Sequence, residues 1–239
     1  MPIAPTPDVT PEFMPLSKLP NFDPRAVPVI GIDSHLAPVP GHALEPTALR
    51  HRFQQPPVWR PELLGEPRFT NRETAFASVL LPIVMREQPR VLLTERTTHL
   101  STHSGQIAFP GGRRDETDTD AAHTALREAF EEVGLLGEYV HVLGELPTYT
   151  TGTRFIVTPV VALISPGHVL ELNAHEVADA FEVPLAFLMN PAHHRRHRVD
   201  VLGHPRDFFS MPYMDGTTER FIWGATASIL RNFYRFLSA

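Results

Sequence analysis

Three glutamates crowd one arc of a short helix in this chain, and few folds can carry such a charge. Residues 111–135 read GGRRDETDTDAAHTALREAFEEVGL. At roughly 100° per residue, Glu128, Glu131 and Glu132 fall within about a third of the helix circumference, while Leu126, Ala129, Phe130 and Val133 fill the other side. The pattern predicts a helix that starts near Ala121, packs through its apolar arc and gathers negative charge on the other. Gly134 supplies the stop, so the glutamates sit in the last turns, where the macrodipole disfavours anions by roughly 0.3–1 kcal/mol each. Arg127 neutralises part of this charge, and an oxygen-rich donor set suits a hard divalent ion, Mg²⁺ or Mn²⁺. For a glutamate pair taken alone, a solvated acidic face is the commoner reading. Here the preceding segment, Gly105-Gln106-Ile107-Ala108-Phe109-Pro110-Gly111-Gly112, is apolar and closed by two glycines that let backbone approach a ligand.

These residues resemble the Nudix hydrolases, whose signature runs G, five residues, E, seven residues, then R-E-U-x-E-E-x-G-U with U aliphatic. The second half is matched in full by Arg127-Glu128-Ala129-Phe130-Glu131-Glu132-Val133-Gly134-Leu135. The first half departs from it: Asp118 stands where the glutamate is expected, and the interval to Arg127 is one residue longer. Asp118, Thr119 and Asp120 are each competent N-caps, and capping is the expected role of Asp118.

A narrower resemblance accounts for the extra residue. Leu92-Leu93-Thr94-Glu95-Arg96, His103, Gly105-Gln106 and Phe109-Pro110-Gly111-Gly112 are similar to the coenzyme A pyrophosphatase branch, where an Asp-rich, longer connection precedes Ala-Leu-Arg-Glu. Leu143-Gly144-Glu145-Leu146, Thr158-Pro159-Val160-Val161 and Ile222-Trp223-Gly224-Ala225-Thr226 resemble further blocks. Ser101 stands where the branch often has arginine, and Thr97 where it usually has serine.

The resemblance implies an α/β fold, an αβα sandwich with a mixed sheet. It implies metal-dependent hydrolysis of the diphosphate of coenzyme A or its thioesters, giving adenosine 3′,5′-bisphosphate and (acyl-)4′-phosphopantetheine. Glu128 and Glu132 are its implied metal ligands, with Glu131 a third and the backbone carbonyl of Gly111 or Gly112 a fourth. Glu128, Glu131 and Arg127 are the implied catalytic groups, Arg127 by orienting the glutamates. The general base stays open among these glutamates and a later carboxylate such as Glu176. Arg96, His103 and Gln106 resemble substrate-contacting residues of the branch, and Arg154 precedes a strand where a cation can meet phosphate. Plain structural roles are open too: Arg96 ending a strand, His103 capping a turn. Two other functions share these motifs, a pyrophosphatase for ADP-ribose, NADH or another nucleoside diphosphate derivative, and a Nudix module that senses a nucleotide without turnover.

Composition fits an enzyme of ordinary type. With 239 residues, 42% of them hydrophobic, the chain can bury one substantial core. A formal charge of −6 argues against nonspecific nucleic-acid binding, and cysteine is absent, which excludes disulfide and thiolate chemistry. No apolar run approaches ~18 residues, so no membrane span is expected, and the reading is a cytoplasmic protein. Fifteen of the 25 prolines precede Arg68. Residues 1–70 therefore read as a proline-rich extension, wrapped over the domain or a partner subunit in a homodimer, with a short helix at 46–54. Residues 71–239 read as the hydrolase domain. Strands are expected at 77–85, 91–95, 106–109, 140–145, 155–163 and 176–183, with a closing helix at 225–237 that packs through Ile229, Leu230, Phe233 and Phe236. The basic run Ala192-His193-His194-Arg195-Arg196-His197-Arg198 reads either as a contact for a ligand phosphate or as a solvated loop, and Tyr213, Phe221 and Trp223 as core or as a frame for adenine.

Overall fold

Alternation along the apolar runs builds a sheet that is covered on both faces. In the computed structural model, which describes residues 15–66, 74–97, 105–153 and 155–239, the elements follow in order. They are β1 (Val29–Ile32), α1 (Pro46–Gln54), β2 (Ala75–Val84), β3 (Arg90–Arg96), β4 (Ile107–Ala108), β5 (Gly111–Arg113) and α2 (Ala121–Val133). Then come β6 (Val140–Glu145), β7 (Tyr149–Thr150), β8 (Phe155–Ile164), β9 (Val177–Pro184), α3 (Leu185–Leu188), β10 (Arg195–Val201), β11 (His204–Asp215), β12 (Thr218–Trp223) and α4 (Gly224–Ser238). In β2 and β8, Leu80, Val84, Val160, Ala162 and Ile164 face α2, while Leu81, Ile83, Val161 and Leu163 belong to the core on the opposite side. Both sets are buried, which is why these strands read as continuous apolar runs. Each Val, Leu or Ile side chain so withdrawn from water contributes about 1.5–3 kcal/mol.

The sheet is mixed: β2 and β8 run parallel in register over their ten pairs, and every other pairing is antiparallel. One face carries α2. The other carries α1, α4 and a second, antiparallel sheet in the order β1-β10-β11-β12. Because α4 lies between two sheets, it is buried nearly all round, including Ser228, Arg231, Asn232 and Tyr234 besides the four residues expected to pack.

The second sheet holds two departures from the sequence pattern. The basic run is neither a loop nor disengaged: Arg195–Val201 is an inner strand between β1 and β11. The N-terminal arm joins the same sheet through β1, and its Phe22 packs against Phe208 and Trp223. Helix α1 has the bounds its sequence predicts and buries Leu49 completely. Among the described residues no helix is long and apolar enough to cross a membrane.

Candidate active site

A forked pair of strands creates the site. β2 and β3 are paired only beside their hairpin, at Ile83 with Val91 and Val84 with Arg90. Beyond that point they diverge, and residues 107–113 fill the gap. β4 pairs with β3 at Thr94 and Glu95, whereas β5 pairs with β2 at Ala77, Ser78 and Val79. The glycine pair thus sits as a strand inside the fork and not as the open loop its composition suggests. Space requires glycine at Gly111, where a Cβ would lie 2.6 Å from Val79 Cα, whereas a Cβ on Gly112 would strike the Glu128 carboxylate and displace it.

Helix α2 presents its carboxylates to this wedge. Asp120 is the N-cap, its Oδ1 accepting the His123 N–H at 2.8 Å, and Gly134 closes the helix in the left-handed region at φ 67°. Ala125, Ala129 and Val133, four residues apart, are fully buried against the sheet. Their small side chains let the helix lie close. Phe130 is 54% exposed, so the packing arc is narrower than the apolar pattern suggests and is rotated towards Glu132, which is only 3% exposed.

Arg127 organises most of the charge. Its Nε and Nη2 grip both oxygens of Asp118 at 3.0 and 2.9 Å, its Nη1 reaches Glu128 at 2.9 Å and Glu131 at 3.0 Å, and Nη2 also donates to the Arg113 carbonyl at 3.0 Å. Asp118 is therefore buried as the clamp for this arginine and does not cap the helix. The fork of Arg127 holds its carboxyl well below the usual carboxylate range, with further help from the Asp115 N–H. Glu132 stands apart from this group. Its Oε2 accepts the Gly111 N–H at 3.2 Å and its Oε1 accepts Arg96 Nη1 at 3.3 Å.

Burial pushes the Glu132 carboxyl up to about 7 despite those two donors, and Glu128 and Glu176 add like-charge repulsion. Burial raises Glu128 as well, against the pull of Arg127, with Glu131 and Glu176 pushing further. Glu176 thus belongs to the same charge cluster, where the loop before β9 brings it; its carbonyl accepts the Thr97 N–H at 3.0 Å. Five carboxylates, Asp118, Glu128, Glu131, Glu132 and Glu176, are set against two guanidinium groups, Arg96 and Arg127. Among the described residues no three carboxylate or histidine side chains already converge into a cation cage. The donor set is all oxygen and carries surplus negative charge, which fits a hard divalent cation.

Other residues named from the sequence fall into three groups. Arg96 and Gln106 adjoin: the Arg96 N–H donates to the Gln106 carbonyl at 3.0 Å. His103, Ser101 and Arg154 lie outside the described residues. The basic run is held by partners of its own. His194 accepts from Arg231, His197 stacks on Phe208 and meets Ser210, Arg196 pairs with Asp33 and Arg198 with Asp207. Phe221 is buried, and Tyr213 packs on Phe187. Sequence reasoning missed the clamp on Asp118 because a turn aspartate beside a helix start reads as a cap. It also missed Arg220 of β12, which ties Glu95 and Asp179 of the mixed sheet to Asp215 of the second.

The NUDIX domain family matches residues 75–201. A protein of Yersinia enterocolitica named an uncharacterized Nudix hydrolase NudL is 38% identical over 191 residues, which span 80% of this chain and 91% of that one. Its namesake in Yersinia pestis (strain Pestoides F) is 41% identical over 163 residues, 68% of this chain and 78% of that one. A solved Ap4A hydrolase binary complex from C. elegans aligns with 50% of this chain and 86% of its own, at 20% identity and a TM-score of 0.41.

Proposed function

The chain belongs to the Nudix hydrolases, pyrophosphohydrolases that generally use divalent metal ions, and from that premise we propose that it hydrolyses the diphosphate linkage of coenzyme A or its thioesters with Mg²⁺ or Mn²⁺. One observation carries the site assignment. Gly112 lies against the Glu128 carboxylate while Gly111 donates to Glu132, so a backbone wedge and two carboxylates share one small volume. Glu128 and Glu132 hold the metal in this reading, with Glu131 and the Gly112 carbonyl as further donors. When bound, the ion offsets the charge on diphosphate oxygens that otherwise repel a nucleophile.

The chain's own groups do the rest. Arg127 spends its donors on Asp118, Glu128, Glu131 and the Arg113 carbonyl, so it fixes the glutamates and does not meet substrate. Glu128 or Glu131 accepts a proton from the attacking water. Water oxygen joins one phosphorus, the bridging P–O bond breaks, and the departing phosphate keeps the bridging oxygen. Arg96 and Gln106 meet the substrate where the fork opens, and His103 and Arg154 are further substrate contacts on the strength of the sequence alone. Coenzyme A is preferred over other diphosphates because Leu92-Leu93-Thr94-Glu95-Arg96 and Gln106 through Gly112 resemble that branch.

Product analysis by mass spectrometry tests the proposal, using coenzyme A, ADP-ribose and NADH in heavy-oxygen water with Mg²⁺, Mn²⁺ or EDTA. The expected result is release of phosphopantetheine and adenosine bisphosphate from coenzyme A alone, abolished by EDTA. Turnover of ADP-ribose or NADH in its place would discard the substrate and keep the chemistry. Binding without turnover of any of the three would discard the enzyme reading.

A further inference from the structure

Glu132 is the carboxylate of the helix that Arg127 does not reach. Every guanidinium nitrogen of Arg127 is already engaged by Asp118, Glu128, Glu131 or the Arg113 carbonyl. The countercharge for Glu132 comes from Arg96, at the end of β3. Two features distinguish this contact. It is single-pronged and long, 3.3 Å, where Arg127 grips Asp118 through two bonds of 3.0 and 2.9 Å. Its partners also differ in exposure: the Arg96 side chain is 26% exposed and that of Glu132 only 4%, so Arg96 is the more accessible of the two. Arg96 therefore occupies the Glu132 oxygen that a cation entering from solvent would take. Among the described residues that oxygen is the acceptor its guanidinium uses.

We infer that Arg96 is an exchangeable placeholder: it neutralises Glu132 in the cation-free protein, yields to a divalent ion, and then turns its guanidinium to the substrate diphosphate. The inference rests on the reading of Glu132 as a metal ligand. A buried carboxylate with no cation is costly, so before metal binds Glu132 needs an internal one. A two-pronged clamp like that on Asp118 would meet that need but exclude the metal. One long bond from a half-open side chain satisfies both demands. Arg96 thus competes with metal and cooperates with substrate, two effects of opposite sign that a merely structural arginine does not produce.

Mn²⁺ titration of the metal-free, full-length protein by calorimetry, without substrate and in a buffer well above neutrality, provides the test. Arg96→Gln is expected to bind Mn²⁺ about tenfold more tightly than wild type. It should also melt earlier than wild type in EDTA, melt level with it in Mn²⁺, and show a raised KM. Arg96→Lys, which keeps the charge, is expected to bind Mn²⁺ as wild type does. Unchanged or weaker Mn²⁺ binding by folded Arg96→Gln overturns the placeholder. Should that variant not fold in EDTA, the wild-type protein decides. The NMR signal of Arg96 Nε–H must move on titration with Mg²⁺, and a stationary signal overturns the inference. Glu132→Gln separates the two readings. Wild-type Mn²⁺ affinity in that variant removes Glu132 as a ligand, whereas lost affinity there with no tightening in Arg96→Gln removes the placeholder alone.

Discussion

Two arginines, Arg127 and Arg231, each gather carboxylates, and the difference between their surroundings separates chemistry from architecture. Arg231 is 1% exposed and lies between the rings of Phe209 and Tyr234. It meets Asp33 and Glu62 at 2.8 Å each and His194 at 3.1 Å. Arg196 and Arg235 stand by as second cations for Asp33 and Glu62. Two carboxylates there are met by three arginines around a buried centre, Arg231 and Asp33, and the network ties α4 to the N-terminal arm and to the second sheet. Around Arg127 and Arg96, five carboxylates face two cations. Surplus negative charge, part of it buried at Asp118 and Glu132, is a provision for a ligand, since the fold alone gains nothing from it.

The largest effect is expected where the Arg231 network is broken. Arg231→Met leaves Asp33 and Glu62 short of their central cation inside the protein, and should cost about 3–5 kcal/mol in chemical denaturation. Under conditions where the variant stays folded, kcat should be unchanged. A loss below about 1 kcal/mol would mean that the two clusters do not differ in kind.

Acid should reach the same network through His194. Its Nε2–H donates to the Leu188 carbonyl at 2.7 Å and its Nδ1 accepts from Arg231 at 3.1 Å, an arrangement that requires the neutral ring. Burial, foremost, pushes its pKa from 6.5 down to about 4. The unfolded chain therefore takes up a proton at higher pH than the folded one. Stability is full above 6.5, declines as pH falls from 6.5 towards 4, and loses about 3 kcal/mol across that window. His194→Gln should flatten this slope in denaturation curves measured across the same range. An unaltered slope would move the acid sensitivity to another group.

In the acidic cluster the expected damage is to turnover. Glu132→Gln keeps the shape and the hydrogen bond from Gly111 but removes the charge proposed to hold the metal. It should lower kcat at least about 100-fold, or about 2.7 kcal/mol, with the melting curve little changed. Near-wild-type rates at saturating Mg²⁺ would reassign the ligand. Paired with Arg231→Met, this variant gives opposite profiles of activity and stability, which is the sharpest form of the contrast.

The two clusters were not equally legible in the sequence. The glutamates of α2 announce themselves because helix periodicity is local, and the bounds of α1 follow from Pro46 and its flanking residues for the same reason. β5 escapes that kind of reading. Gly111, Gly112 and Arg113 have no strand preference of their own, and only the fork between β2 and β3 imposes one. The second sheet is hidden differently. In β10 the inward positions are filled by His197 and Val201, and the polar partners that make burial of His197 possible are Ser210 across the β10–β11 hairpin and the Val27 carbonyl, 170 residues away. One local signal was present: Gly216-Thr217, with Gly216 at φ 60°, is the two-residue loop that joins β11 to β12 as a tight hairpin. The network of Arg231 depends wholly on such distant contacts, so an arginine within an apolar helix pattern gave no hint of it.

Arg198 should give the smallest effect, and its value is to test whether the basic strand is a surface of the fold or part of the site. Its guanidinium forms a two-pronged pair with Asp207 on the neighbouring strand, at 2.6 Å for both bonds, yet both side chains are more than half exposed. Water and salt screen a pair in that position, so good geometry alone does not make it strong. Arg198→Ala should leave the denaturation curve close to that of wild type, with any small difference vanishing at high ionic strength. Because Asp207 already takes both donor arms, Arg198 is not poised for a phosphate, and KM for coenzyme A should match wild type. A KM that rises in Arg198→Ala while kcat and stability hold would show that substrate draws Arg198 away from Asp207, and would bring the edge of the second sheet into the binding surface.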